Sequence, residues 1–193
     1  KYRNLIDEYR FKTAPYQHDR VNEILEKAVD FDFGWINSES IKTMFHAQTI
    51  LIKTFKPDII MSDTMLSMRM VSEYYKIPHI AILNGYITNY YDDIRPVPYT
   101  HKAYNYQFKL KEKTWNKILI NAERASMKYV HRPIAKHRKK LGLEKKDWLL
   151  DEFTGDLNLI CDNSALFPQK DLPDNYFEAG AILSNSKEGS KRI

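Results

Sequence analysis

The sequence predicts an α/β fold, a doubly wound parallel sheet of Rossmann type, on three observations. Short apolar runs recur at residues 58–61, 79–83 and 157–161, as expected of strands buried on both faces. Between the first two, Met65, Met68, Val71, Ser72 and Tyr75 recur at helical spacing, which supplies the crossover helix that two parallel strands require. Strand and helix patterns then alternate along the rest of the chain.

Taken in order, residues 9–13 alternate weakly before Ala14-Pro15 and read as a strand. Asp19 caps an expected helix at 20–29, with Val21, Ile24, Leu25 and Ala28 on its apolar side. An aromatic stretch at 30–35 breaks that period and reads equally as a pocket lining or a lid over the core. Ser38, Glu39 and Ser40 offer capping chemistry for a strong helix carrying Ile41, Met44, Phe45, Gln48, Ile52 and Phe55. His46 on that helix has no metal-type partner at helical spacing and reads as a packed or surface residue.

Pro57 introduces the strand at 58–61, and Asp63 falls where that strand gives way to the helix at 64–75. Lys76-Ile77-Pro78 ends the helix, because a residue before proline is pushed out of the α region. The strand at 79–83 closes with Asn84-Gly85. In open parallel sheets ligands sit at the carboxyl ends of the strands. That rule places Asp63 and Asn84-Gly85-Tyr86 on one rim, with Tyr90, Ser67 and Met65 close by.

Residues 86–106 are rich in tyrosine and proline. A long irregular segment of this kind is usually functional, and its rings suit planar or hydrophobic ligands. Packing of the same rings on their own domain is the competing reading. Asp92-Asp93 lacks a third ligand for a metal and reads as solvent-exposed.

Residues 111–141 read as mainly helical, with an apolar stripe of Trp115, Ile118, Leu119, Ala122, Ala125, Tyr129 and Val130. Pro133 is expected to kink or split this helix, and Gly142 to stop it. The segment 131–146 is the most basic in the chain. It could meet phosphates of nucleic acid or anionic lipid, but a solvated helical face is preferred, since no nucleic-acid signature accompanies it. A short helix at 148–153, a strand at 157–161, a loop at 163–175 and a last strand at 176–180 complete the order.

A chain of 193 residues with 43% hydrophobic content supports one core. No apolar run approaches the roughly 20 residues that span a bilayer. The single cysteine, Cys161, excludes an intrachain disulfide and a cysteine-based metal site. It reads as a buried structural thiol, which fits a reducing, cytoplasmic setting. The net charge of +5 does not by itself call for nucleic acid.

Lys56-Pro57-Asp58-Ile59-Ile60-Met61-Ser62-Asp63, then a helix, then Lys76-Ile77-Pro78-His79-Ile80-Ala81-Ile82-Leu83 resembles the middle of the acceptor domain in nucleotide-sugar glycosyltransferases of the GT-B fold. The UDP-glycosyltransferase and macrolide-glycosyltransferase group is the most similar in flavour. Leu141-Gly142-Leu143, Asp156-Leu157-Asn158-Leu159-Ile160-Cys161-Asp162, Phe167-Pro168, Leu172-Pro173 and the run from Tyr176 through Gly180 to Leu183 follow in the order such domains show. Ala181 stands where the family has a proline after the glycine.

The resemblance implies one half of a GT-B fold. Residues 1–183 would form the acceptor-binding domain, with its first strand lying before Lys1, and 184–193 would begin the linker to a C-terminal donor domain. It implies inverting transfer of a hexose from a nucleotide sugar, a UDP-sugar by its closest flavour, to a hydroxyl of a small hydrophobic acceptor. In the family a histidine after the first strand is the base and an aspartate orients it. Asp63 matches the aspartate; His18 does not stand in the histidine's context, so the base would lie outside this chain. Capping of the following helix remains open for Asp63 at this point.

Placement on the rim then gives Asn84, Gly85, Tyr86 and Tyr90 as acceptor contacts, with Ser67 or Met65 nearby; the resemblance supplies the further expectations. It implies no metal and no cofactor held by this chain, with the nucleotide sugar as co-substrate of the full enzyme, and this chain inactive alone. Expected partners are a small-molecule acceptor, the donor domain and a peripheral membrane contact, but no nucleic acid. Two alternatives stand beside this reading: the acceptor subunit of a split glycosyltransferase, and a non-catalytic Rossmann-like module that binds a small ligand.

Overall fold

A computed structural model of the chain describes residues 9–14, 27, 33–97, 99, 101 and 103–182. Of the helix expected at 20–29 only Lys27 is described, in helical conformation; its cap Asp19, His18 and the linker at 184–193 lie outside the described residues. Tyr9 and Arg10 form a turn and 11–14 are irregular, not the strand expected there. Arg10 has φ +55°, a left-handed conformation that no strand accommodates.

Helix α1 (Ser38–Phe55) is capped one residue earlier than expected, by Asn37. The Asn37 side chain accepts from the amides of Glu39 and Ser40 at 3.0 and 3.1 Å, and the Asn37 amide donates to the Ser40 hydroxyl at 3.0 Å. This reciprocal capping satisfies donors that a helix start leaves open. Its buried side chains are Ile41, Met44, Gln48 and Ile52, whereas Phe55 is exposed.

Strand β1 (Ile60–Asp63) begins later than the apolar run suggests and takes in Asp63. The ladder can start only where its partner does. Ile60 pairs with His79, the first residue of β2 (His79–Leu83), after the Ile60 amide has bonded the Pro78 carbonyl at 2.9 Å. Between the two strands, α2 (Met68–Tyr75) is shorter than the period at 64–75 implies. Thr64 and Ser67 both hold positive φ, 44° and 71°, so the chain turns before it coils.

Helix α3 (Glu112–Lys140) then leads to β3 (Leu157–Ile160), and a loop to β4 (Tyr176–Glu178). The four strands are all parallel and lie in the order β1-β2-β3-β4. The result is an open α/β sheet of Rossmann-like arrangement. Pro133 lies inside α3 without ending it. The carbonyl it leaves without a partner belongs to Tyr129, which is exposed, so water can take the place of the missing donor.

One face of the sheet is buried at Ile60, Ser62, His79, Ala81, Leu83, Asn158 and Ile160; α1 and α2 meet it at Ile60, and α3 packs on α1. One cluster joins Ile41 and Met44 of α1 to Met70 of α2 and Ile134 of α3; a second joins Ile52, Ile60, Met68 and Val71. The apolar stripe expected on α3 turns out differently. Trp115 is buried, but Ile118, Ala122, Ala125 and Tyr129 are exposed.

A chain of charged groups locks this layer. Buried Glu152 receives Arg138 at 3.0 Å and lies 2.7 Å from His131 Nε2. Arg138 also pairs with Glu73, Glu73 with Arg69 at 2.6 Å, and Arg69 with Asp156 at 3.0 Å. Asp156 in turn accepts the His79 amide at 2.9 Å. Because each buried charge has a partner, α2, α3 and the ends of β2 and β3 are fixed relative to one another.

Candidate functional site at the carboxyl rim of the sheet

The parallel arrangement brings the carboxyl ends of β1, β2 and β3 to one rim. Asp63 ends β1 and is exposed, and one of its carboxylate oxygens accepts from the Thr64 hydroxyl at 3.0 Å. It does not cap α2. The N-cap of that helix is Ser67, four residues on and without a capping side-chain bond. The helix-cap reading of Asp63 is therefore set aside, and the carboxylate is left at the end of the strand.

Asn84 and Gly85 follow β2 on the same rim. Asn84 is exposed, and its side chain accepts from the Tyr86 amide at 2.8 Å, which starts a short 3₁₀ turn (Gly85–Ile87). Gly85 is buried between strands. Its amide donates to Asp162 at 2.6 Å and its carbonyl accepts from Gln169 at 2.9 Å. A Cβ here would come within 2.9 Å of the Phe167 Cβ, which explains why the position is glycine.

Tyr86 lies half-buried against Tyr91 and Phe167, with the Arg95 guanidinium 5.4 Å over its ring. Burial pushes its hydroxyl above the ordinary value, and Arg95 opposes this. Tyr90 sits edge-on to Tyr176 at 5.0 Å. The Tyr176 hydroxyl is itself pushed well up, mainly by burial and then by Tyr90.

Two expected contacts are not brought to the rim. Ser67 is fully buried and donates its hydroxyl to Gln48 at 2.7 Å, so it serves the packing of α1 on α2. Met65 packs with Ile52, Ile60, Met68 and Val71 in the helix layer.

Of the other rim residues, Asp162 was not singled out from the sequence, and Cys161 only as a buried structural thiol, whereas it is half-buried. Asp162 and Cys161 follow β3, and the Cys161 thiol is pushed up by burial, then by Asp162 and Asp63. Asp63 and Asp162 thus bracket one cysteine. The signal was present, since an acidic residue follows an apolar run in both places. Asp162 is engaged by Gly85, which leaves Asp63 the freer carboxylate.

The loops after β2 and β3 also pair with each other. Tyr91 bridges Gln169 in antiparallel fashion, the Asp92 amide meets the Pro168 carbonyl at 2.9 Å, and the Lys170 amide meets that of Tyr90 at 2.9 Å. Asp92 and Asp93 are exposed. Among the described residues, no group of three or more His, Cys, Asp or Glu side chains could hold a metal.

Next to this rim lies an open groove of about 550 Å³ lined by Ile94, Pro96, Tyr104, Phe108, Trp115 and Leu119 together with the polar Asp93, Gln107, Glu112 and Asn116. That size falls inside the roughly 300–1,000 Å³ typical of small-molecule sites. Arg95 links the two regions. It donates to the carbonyls of Tyr86 and Thr88, each at 2.7 Å, and pairs with Glu123 of α3 at 2.6 Å. None of the residues expected to touch an acceptor lines this cavity; Trp115 and the 3₁₀ turn Tyr104–Phe108 do.

The buried pair Ser62 Oγ and His79 Nε2, 2.7 Å apart, has the look of a nucleophile and its base. Both lie on the helix-covered face, and Asp156 meets the amide of His79, not its ring. The pair is structural.

Fold and rim together define an open parallel α/β domain of Rossmann-like arrangement, with a free carboxylate at the end of its first described strand. Compared with known proteins, the chain matches no protein-family model, and no curated protein matches it at a significant level. No described helix is long and apolar enough to cross a membrane.

Proposed function

We propose that this chain is the acceptor-binding part of a glycosyltransferase. The enzyme would move a hexose from a nucleotide sugar, a UDP-sugar, to a hydroxyl of a small hydrophobic acceptor with inversion. The observation that carries the reading is the exposed Asp63 carboxylate at the carboxyl end of β1, free of any capping duty. The aromatic cavity beside the rim supports the choice of a hydrophobic acceptor.

In the proposed reaction the acceptor oxygen attacks the anomeric carbon and the bond to the nucleoside diphosphate breaks. The hydroxyl proton passes to a histidine base supplied from outside this chain. Asp63 orients that histidine and stabilises its imidazolium, so it is a positioning residue. A donor domain supplies the nucleotide sugar, and the compartment that fits the lone cysteine is the cytoplasm.

The test is a transfer assay on the protein encoded by the complete reading frame, with UDP-glucose as donor and 1-naphthol as hydroxyl-bearing acceptor. Glucosyl naphthol formed by wild type and lost in Asp63→Asn supports the reading. Failure of a panel of nucleotide sugars and hydroxyl acceptors to react overturns it.

One observation favours a second reading, a non-catalytic module that binds a small ligand: the cavity does not include Asp63. Under that reading 1-naphthol quenches Trp115 fluorescence without any dependence on nucleotide sugar, and Asp63→Asn changes nothing.

A further inference from the structure

Helix α3 carries nine Lys and Arg against two Glu, more net positive charge than the +5 of the entire chain. Only one of the nine, Arg138, is buried among acids. Lys113, Lys117, Arg124, Lys128, Arg132 and Lys136 are exposed and recur at steps of four or seven residues, so they form one stripe along the helix. At 1.5 Å per residue the stripe runs about 35 Å.

The two acids do not neutralise it. Glu123 is taken by Arg95 at 2.6 Å, and Glu112, at the first turn, makes no ion pair among the described residues. Downstream, Asp147 is held by Lys145 at 2.6 Å and Glu144 lies 3.3 Å from Lys146. Among the described residues Lys113, Lys117, Lys128 and Lys136 make no ion pair.

Alongside the cations runs a second stripe, Ile118, Ala122, Ala125 and Tyr129, at steps of four, three and four. A helix that packs on a core normally hides such a row. Here Trp115 at the head of the row is buried, but beyond it Ile118 is 44% exposed and Tyr129 67% exposed, and the buried side chains of the second half of the helix are His131, Ile134 and Arg138 on another side. Arg132 lies 5.1 Å over the Tyr129 ring, so the two stripes touch. Just before the helix, Phe108 is exposed at the mouth of the aromatic cavity.

We infer that the outward side of α3 docks flat on a bilayer that carries anionic phospholipid. The cations meet lipid phosphates while the apolar stripe sinks to the headgroup boundary, the arrangement of helices that lie in the interface plane. Charge complementarity selects the anionic surface. The aliphatic Ile118 beside the cations favours lipid over nucleic acid, whose phosphates would use the cations and leave the isoleucine in water. The inference does not depend on glycosyl transfer.

The experiment is co-sedimentation of the full chain with vesicles of phosphatidylcholine alone or mixed with phosphatidylserine. Wild type is expected to bind the mixed vesicles and not the neutral ones, with binding weakened by salt. Reversing Lys117→Glu, Arg124→Glu, Lys128→Glu and Arg132→Glu together should lower the partition by about a hundredfold or more. Ile118→Ser with Tyr129→Ser should lower it with the charge intact. All these side chains are exposed, and an unchanged thermal midpoint will show that the variants fold. Equal binding to neutral vesicles, retention by the reversed variant, or binding to duplex RNA with none to vesicles overturns the inference.

Discussion

The carboxylate of Asp162 accepts the amide of Gly85 at 2.6 Å, so the turn that follows β2 hangs from the end of β3. Gly85 has no room for a side chain in this position, with Phe167 and Gln169 both close. Gly85→Ala is expected to lower stability by about 1–3 kcal/mol through overpacking. Asp162→Ala, which leaves the buried amide without its acceptor, should cost about as much. Urea unfolding midpoints measure both; an unchanged midpoint for Gly85→Ala would show that the rim turn yields easily.

Asp63 should behave in the opposite way. Its carboxylate is exposed and caps no helix, so Asp63→Asn is expected to change stability by less than about 0.5 kcal/mol. Under the proposed glycosyl transfer, the same change in the protein from the complete reading frame should cut turnover roughly a hundredfold or more while KM for the acceptor moves little. A raised KM with intact kcat would make Asp63 a binding group and not a positioning one.

Acid should weaken the fold through His79. Burial, with help from Arg69 and against the pull of Asp156, holds this imidazole from its ordinary 6.5 down to about 4. The unfolded chain therefore takes up a proton near pH 6.5 that the folded chain refuses until near pH 4. The contribution of His79 is complete above pH 6.5, falls as pH drops through that window, and has lost roughly 3 kcal/mol at its lower end. Comparing wild type with His79→Asn across pH 4–7 isolates the effect, because only the wild-type curve should carry this slope.

Removing Glu152 should be the most damaging single change in the charged layer. Glu152→Ala leaves Arg138 and His131 buried without their shared partner, an outcome expected to cost about 3–5 kcal/mol. Arg138→Met together with Glu152→Leu should be milder than Glu152→Ala if the uncompensated charge is the cause. Chemical denaturation of the three variants separates these contributions.

The strands at 79–83, 157–161 and 176–180 were legible because an apolar run between turn residues leaves few other options. Helix starts were less so. Asn37 and Ser38 are both good caps, and only the bond from Asn37 to two amides decides between them. At 64–67 a helical period of side chains continued into residues whose positive φ no pattern of hydrophobicity reports. Ser67 was misplaced for the same reason: its neighbour in space, Gln48, lies on another helix.

The stripe expected on α3 divides between buried Trp115, half-buried Leu119 and Val130, and exposed Ile118, Ala122, Ala125 and Tyr129, since periodicity gives a face without saying what covers it. The carboxylate of Asp63 was found by its place at a strand end. Asp162 had the same signature, yet its bond to Gly85 joins residues 77 apart in the chain. The irregular loop at 86–106 was read as a ligand-lining segment, and its Asp93, Ile94, Pro96 and Tyr104 do line the groove; the share of Trp115 and Leu119 in it was not foreseen, because only the fold brings that loop back onto α3.

The strands stand side by side in the order in which they occur in the chain. Among the described strands, no pairing therefore has to wait for a strand made later to slip in between two made earlier. As the chain leaves the ribosome, β2 can settle on β1 while α3 is still being synthesised, and β3 and β4 can then add to the growing edge. Assembly can proceed vectorially, each new strand laid on the last. The separation that must be closed is largest between β2 and β3, where a 29-residue helix intervenes. Closing that interval is the step at which the growing sheet would pause.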